Sequence, residues 1–147
     1  MTTSPFVLDA SIAAAWCFED EASEYADGIL DLLGCTTASV PALWPLEIGN
    51  VLVVAERRRR ISRASATRAV ELLRTLPIEV EMLNPATVFS EVLTLARETN
   101  LSAYDAAYLH LAMSKGMALA TSDTELRRAA AQVGVPLQEA QGNTGSA

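Results

Sequence analysis

Short apolar runs separated by longer stretches with helical spacing are the main pattern of this chain. Residues 5–8 and 38–41 are mostly apolar and short enough to be buried strands, and residues 78–83 alternate between apolar and polar positions. Residues 117–121 form a further apolar run, and residues 135–137 are a candidate fifth strand. The pattern therefore predicts four to five short strands.

Between these runs, apolar residues recur every three or four positions, which is typical of amphipathic helices. Serines mark several helix starts: Ser11 and Ser102 as caps, and Ser122 with Glu125 as a capping box. The third helix has almost no polar face before Glu56, so we expect it to be deeply packed. The predicted helices span residues 12–18, 21–33, 43–55, 62–76, 85–96, 103–114 and 122–132.

Strands that alternate with helices predict an α/β fold, because a parallel sheet needs crossover helices and is covered on both faces. We expect a three-layer α/β/α domain with a mostly parallel sheet of four to five short strands. We expect residues 1–140 to form this single domain and residues 141–147 to be a flexible tail. Ligands bind beyond the carboxyl ends of such strands, so polar residues directly after a strand are candidates for the site.

The composition narrows the range of functions. With 147 residues, 50% of them hydrophobic, the chain can bury a core without disulfides, and its two cysteines show no zinc-binding spacing. The formal net charge of -7 argues against a broad basic surface, so any phosphate substrate must be bound locally. We recognise no signal peptide and no apolar run long enough to span a bilayer, and therefore expect a cytoplasmic protein without membrane contact.

Four acidic residues lie in apolar surroundings, where a carboxylate is costly unless its charge is compensated. Asp9 and Asp123 follow predicted strands, whereas Glu47 and Asp105 lie inside apolar helices. Three of them have an ordinary alternative: an Asx turn at Asp9, a capping box with Ser102 at Asp105, and a helix cap at Asp123. A shared divalent metal ion would compensate all four charges.

Glu47 is the most informative of the four acids. It is flanked by Leu46 and Ile48 and has no lysine or arginine three or four positions later, so only a distant arginine could pair with it. Asn50 lies one turn later on the same face, where it could orient a carboxylate or a bound water. Oxygen ligands without a histidine or cysteine cluster indicate Mg²⁺ or Mn²⁺. Such an ion suits phosphodiester hydrolysis, because it polarises the phosphorus and lowers the pKa of an attacking water.

The order of these acids and the residues around them resemble PIN-domain ribonucleases, and most closely the VapC-type toxins of bacterial toxin-antitoxin pairs. The resemblance covers about residues 5–138. It implies a homodimeric endoribonuclease that depends on Mg²⁺ or Mn²⁺ and hydrolyses RNA. Four segments carry it: Val7-Leu8-Asp9-Ala10-Ser11, Pro45-Leu46-Glu47-Ile48-Gly49-Asn50, Ser102-Ala103-Tyr104-Asp105-Ala106-Ala107-Tyr108 and Ala120-Thr121-Ser122-Asp123.

The resemblance also implies a role for each site residue. Asp9 and Asp105 would be the primary metal ligands, and Asp123 would complete the coordination, often through water. Glu47 would position or deprotonate the attacking water. Two residues behind these groups would orient them, namely Ser11 and Asn50.

Partners follow from the same resemblance. A VapB-type antitoxin is expected to block the enzyme, commonly by laying a helix into an apolar groove and directing a basic residue toward the acids. The predicted helices 21–33 and 43–55 could form that groove. Arg57–Arg60 is the densest basic run; it could steer RNA phosphates, and a solvated helix end is at least as good an interpretation.

Other functions compete with a metal-dependent nuclease. A phospho-acceptor receiver domain also places acids at strand ends, but it requires a lysine after a late strand, whereas Lys115 precedes Met117. A catalytically silent PIN-fold binding module would keep the acids for stability or for a partner. DNA is an alternative substrate, since nothing in the sequence reads a 2′-hydroxyl.

The remaining histidine and aromatic residues have mainly structural interpretations. His110 lies on the same predicted helix as Asp105 but faces away from it, so we expect it to be packed or solvated rather than catalytic. Core or dimer-interface positions are favoured over base stacking for the following aromatic residues: Trp16, Trp44, Tyr104 and Tyr108.

Overall fold

A four-stranded, fully parallel sheet forms the centre of the computed structural model, which describes residues 3–140. Its strands are β1 (Phe6–Leu8), β2 (Ala38–Pro41), β3 (Ile78–Glu81) and β4 (Ala118–Ala120), and their order in the sheet is β3-β2-β1-β4. Because β1 lies between β2 and β4, the chain crosses to the other side of β1 after β3, and such a switch point is where these sheets bind ligands. The predicted tail, residues 141–147, lies outside the described residues.

Helices connect the strands and flank the sheet, which confirms the predicted α/β class. The helices are α1 (Ala10–Cys17), α2 (Glu24–Leu32), α3 (Trp44–Arg57), α4 (Arg63–Thr75), α5 (Pro85–Thr87), α6 (Leu93–Thr99), α7 (Ala103–Lys115) and α8 (Thr124–Val133). A 3-10 turn follows α1 at Glu19–Glu21, and a π segment at Val88–Val92 joins α5 to α6. All three residues of β1 are buried, because helices such as α7 pack against it.

Two predicted helix caps are wrong by one or two residues. Ser11 lies inside α1, whose N-cap is Asp9, and Ser122 precedes the N-cap of α8, which is Asp123. The carboxylate of Asp123 accepts hydrogen bonds from two backbone N–H groups of the first turn of α8. Asp123 is therefore the N-cap in place of the predicted Ser122. By contrast, Ser102 caps α7 as predicted.

Two further predictions need correction. The third helix is not deeply packed all round, because Leu46 is 79% exposed and Val53 is also exposed. The candidate fifth strand is reduced to one isolated bridge between Leu137 and Leu119. Within residues 3–140 no helix is both long enough and apolar enough to cross a membrane.

Candidate active site

The pairing of β1 with β4 brings two strand ends together at one edge of the sheet. Leu8 pairs with Ala120 in parallel register, and the backbone N–H of Asp9 donates to the Ala120 carbonyl at 3.0 Å. Asp9 and residues 121–123 therefore leave the sheet side by side. Two of the four predicted acids, Asp9 and Asp123, reach the same region for this reason.

Asp9 is the most buried of the four acids, with 5% of its surface exposed. Its Oδ2 accepts two hydrogen bonds of 2.7 Å, one from the hydroxyl of Ser11 and one from the hydroxyl of Thr121. Burial raises the pKa of the Asp9 carboxyl, and these hydroxyl donors act in the opposite direction because they stabilise the ionised form. The hydroxyl of Ser11 therefore lies where it could orient the Asp9 carboxylate, and its role in metal binding stays a prediction.

The same two hydroxyls tie the end of β1 to the chain that follows β4. The Ser11 oxygen accepts from the backbone N–H of Ser122 at 3.1 Å, and the Thr121 oxygen accepts from the N–H of Asp123 at 3.0 Å. Each hydroxyl thus donates to Asp9 and accepts a backbone N–H of the segment after β4.

Glu47 and Asp105 come from the first turns of α3 and α7, where the positive end of the helix dipole favours a carboxylate. Both side chains are half-buried. The partner of Glu47 is the phenol of Tyr108, which donates to Oε1, rather than an arginine. Burial raises the pKa of Glu47, the bond from Tyr108 counteracts this, and the charge of Asp9 adds to the rise.

The four acids form one electrostatic cluster around Asp105. Burial is the largest cause of a pKa raised to about 6 at Asp105, and the negative charges of Asp9, Asp123 and Glu47 follow in that order. Among the ion pairs formed within residues 3–140, none includes any of these four acids. The cluster therefore has an excess of negative charge that a bound cation would neutralise.

The chemistry of this donor set fits Mg²⁺ or Mn²⁺, since every donor is a carboxylate or hydroxyl oxygen. The side-chain positions do not yet form a coordination shell: within residues 3–140 no group of three or more His, Cys, Asp or Glu side chains is arranged to hold a metal ion. Asp123 also uses Oδ1 to cap α8, at 2.8 Å from the N–H of Glu125. Metal binding would thus require side-chain adjustment within the cluster, and Asp123 would have to share its carboxylate with the helix cap.

Asn50 differs from the other predicted site residues. It is exposed, and within the described part of the chain its side chain makes no hydrogen bond to Glu47. Instead, Asn50 and Glu47 line the same shallow pocket of about 460 Å³, together with Leu46 and Tyr104. Tyr104 is 67% exposed and so does not belong to the core.

Several features that the sequence offered as alternatives lie outside the acidic cluster. His110 pairs with Glu91 at 2.8 Å, in agreement with its non-catalytic interpretation. Arg60 contacts Asp20 and Glu21 at 2.8 and 2.7 Å, so it is already engaged by carboxylates. The predicted groove between helices 21–33 and 43–55 stays a prediction. One groove of about 630 Å³ is lined by residues of α1, the 3-10 turn and α4.

Two residues of the site were not identified from the sequence in these roles. Thr121 is fully buried and contacts Asp9 from a position 112 residues away. Tyr108, interpreted as a core or interface residue, is buried but also bonds to Glu47. A usable signal existed for Tyr108, because a residue three positions after Asp105 lies on the neighbouring face of the helix.

Comparisons with known proteins identify the family of this chain. The sequence model of the family described as PIN domain matches residues 6–132. The crystal structure of PAE2754 from Pyrobaculum aerophilum is similar, with 27% sequence identity, a TM-score of 0.64, and coverage of 87% of this chain and 79% of that one. A second similar structure is the crystal structure of VapBC2 from Rickettsia felis bound to a DNA fragment from their promoter. It has 11% sequence identity and a TM-score of 0.65, and the match covers 91% of this chain and 97% of that one. At this identity the likeness shows a shared fold. No curated protein matches the sequence.

Proposed function

We propose that this chain, which belongs to the PIN domain family, is a toxin of the VapC type that hydrolyses RNA with the help of Mg²⁺ or Mn²⁺. The observation that carries the proposal is the convergence of four carboxylates, from four separate segments, on one uncompensated cluster around Asp105. Such a cluster is costly in the metal-free protein, and a divalent cation between the enzyme and a phosphate substrate would stabilise it.

In the proposed reaction Asp9 and Asp105 would hold the ion directly, and Asp123 would assist them through water. When bound, the ion supplies Lewis-acid activation of the phosphate and stabilisation of the developing negative charge. Glu47 positions a water molecule and accepts a proton from it as the water oxygen attacks the phosphorus. The bond from the phosphorus to the leaving oxygen breaks, and that oxygen takes a proton from solvent.

The proposed partners are RNA, a VapB-type antitoxin and a second copy of this chain, which would make a homodimer. The fold shared with VapBC2 supports an antitoxin partner. The groove lined by α1 and α4 is suited to an antitoxin helix, since it combines Trp16 and Leu72 with charged residues at its rim. Exposed apolar side chains such as Leu46, Phe89 and Met82 support contacts with a further protein surface.

A catalytically silent PIN-fold binding module is the second candidate. The observation that favours it is that, in the described residues, no three acidic side chains are arranged to hold a metal ion. In that case the acids would serve stability or partner binding. The two candidates differ in one property, which is metal-dependent turnover.

Cleavage of a mixed cellular RNA preparation by the purified chain separates these candidates. We expect discrete fragments with Mg²⁺ or Mn²⁺, and no fragments with a chelator or with Asp105→Asn. The matched control is Asp31→Asn, which removes an exposed acid of α2 and should cleave like the wild type. Intact RNA with folded, antitoxin-free protein would favour the binding module.

A further inference from the structure

Tyr108 joins two parts of the acidic cluster that lie far apart in the sequence. Its side chain is fully buried in α7, and its phenol donates a hydrogen bond to Oε1 of Glu47 in α3, 61 residues earlier. A buried phenol needs a hydrogen-bond partner, and among the described residues its partner is this carboxylate. Removing either partner of this hydrogen bond should therefore lower the free energy of unfolding.

The phenol fixes the orientation of Glu47 without cancelling its charge. An arginine or lysine in the same place would neutralise the carboxylate, whereas a neutral hydroxyl leaves it able to accept a proton. Burial raises the pKa of the Tyr108 phenol, and the bond to Glu47 adds to this rise, so the phenol stays protonated and remains a donor. Oε2 of Glu47 receives no hydrogen bond from a side chain within residues 3–140.

Asp9 is also held by neutral hydroxyl donors. There, hydroxyls of Ser11 and Thr121 both donate to Oδ2. In each case neutral hydroxyl donors fix one oxygen of a buried or half-buried carboxylate. Tyr108 also lies one turn after Asp105 on α7, so the helix that supplies a proposed metal ligand also sets the position of Glu47.

We propose that Tyr108 is a positioning residue for Glu47: its hydroxyl holds Oε1 so that Oε2 faces the water that attacks the phosphate. This inference rests on the proposed hydrolysis for its chemical role. The hydrogen bond itself can be tested without any activity, through the stability of the protein.

The test is a double-mutant cycle of Tyr108→Phe and Glu47→Gln, because phenylalanine keeps the ring and removes only the hydroxyl. With RNA and Mn²⁺ we expect Tyr108→Phe to lower kcat by about 10- to 100-fold and to leave KM within about two-fold. In the Glu47→Gln background the same change should lower kcat by less than about two-fold, since its effect acts through Glu47. For the cycle of unfolding free energies, measured in urea without metal, Glu47→Leu replaces Glu47→Gln, because a glutamine oxygen could still accept the phenol hydrogen bond. This cycle should also be non-additive.

Tyr25→Phe is the matched control. The phenol of Tyr25 is half-buried and donates to the backbone carbonyl of Gln138 at 2.6 Å, so this variant also loses a phenol hydrogen bond. We expect it to lose stability while kcat stays within about two-fold of the wild type.

The outcomes distinguish the inference from the proposed function. A wild-type protein that leaves RNA intact overturns the proposed function and with it the chemical role of Tyr108. If the wild type cleaves RNA but Tyr108→Phe has an unchanged kcat, the positioning role is wrong and the proposed function stands. The positioning role would also be overturned if the effects of the Tyr108 and Glu47 substitutions on kcat multiplied in the double variant. Additive effects of these substitutions on the free energy of unfolding would overturn it as well.

Discussion

Oγ1 of Thr121 and Oδ2 of Asp9 lie 2.7 Å apart, and this bond connects the ends of β4 and β1. The threonine is buried, and its oxygen also accepts the N–H of Asp123, so a single hydroxyl fixes two of the proposed metal ligands. Its position is a consequence of the strand order, since β1 and β4 are neighbours in the sheet but distant in the sequence.

Thr121→Val should reduce stability and metal affinity together. The substitution keeps the shape of the side chain and removes the donor to a buried carboxylate, so we expect a loss of about 1–3 kcal/mol in the free energy of unfolding. Because Asp9 also loses its orientation, the affinity for Mn²⁺ should fall by about ten-fold or more. Urea denaturation and calorimetric titration measure the two effects.

Thr99→Val is the control for that prediction. Thr99 is also buried, but its hydroxyl donates to the carbonyl of Leu95 within its own helix at 2.7 Å. The control should change stability without changing the affinity for Mn²⁺. Equal losses of Mn²⁺ affinity in both variants would contradict a specific role of Thr121.

Asp105→Asn should stabilise the metal-free protein near neutral pH. The folded-state pKa of Asp105 is raised from 3.8 to about 6, so the folded state binds this proton more tightly than the unfolded state. Its contribution to stability is therefore full below about pH 4 and falls as the pH rises to about 6. Asparagine removes this loss, and after allowance for partial solvent exposure we expect a gain of about 1 kcal/mol at pH 7.

Urea denaturation across this pH range, in the presence of a chelator, measures that gain. Asp31→Asn provides the comparison, because it removes an exposed acid away from the cluster and should leave the pH dependence unchanged. A variant Asp105→Asn that is no more stable than the wild type at pH 7 would contradict the destabilisation of the ionised Asp105 by burial and by the neighbouring carboxylates.

The basic run at the end of α3 should contribute unequally to RNA binding. Arg57, Arg58 and Arg59 are exposed and form no ion pair within the described residues, whereas Arg60 pairs with two carboxylates. If the first three contact phosphates, replacing all three with glutamine should reduce the slope of log affinity against log salt concentration by about 2 for single-stranded RNA. Arg60→Gln should leave that slope unchanged.

Fluorescence binding measurements at several salt concentrations, with catalysis blocked by a chelator, test this prediction. If the triple variant binds RNA with the wild-type affinity and salt slope, the run is only a solvated helix end.

Local sequence patterns were sufficient for most of the fold because each element carries its own signal. Ser102 shows this well, since a serine before an apolar helix has one obvious use as a cap. The cap of α8 was misplaced by one residue because Ser122 and Asp123 are adjacent and have similar cap preferences. The exposure of Leu46 could not be read from a nearly all-apolar helix, whose pattern does not distinguish its faces.

The site was predictable only in part for a different reason. Acids in apolar surroundings are visible locally, so Asp9 and Glu47 could be selected from the sequence alone. The hydroxyls that hold them belong to Thr121 and Tyr108, at separations of 112 and 61 residues, and these contacts exist only after the sheet and helices have assembled. Threonine and tyrosine are also common in cores, so neither residue type is informative by itself.

A calorimetric titration of Mn²⁺ into the wild-type protein, Asp105→Asn and Asp31→Asn at neutral pH tests the proposed metal site most directly. We expect the wild type and Asp31→Asn to bind Mn²⁺ alike and Asp105→Asn to bind at least about ten-fold more weakly, because the cluster is built around that carboxylate. Equal binding by all three proteins, or no binding by the folded wild type, would contradict the claim that these acids form a metal site.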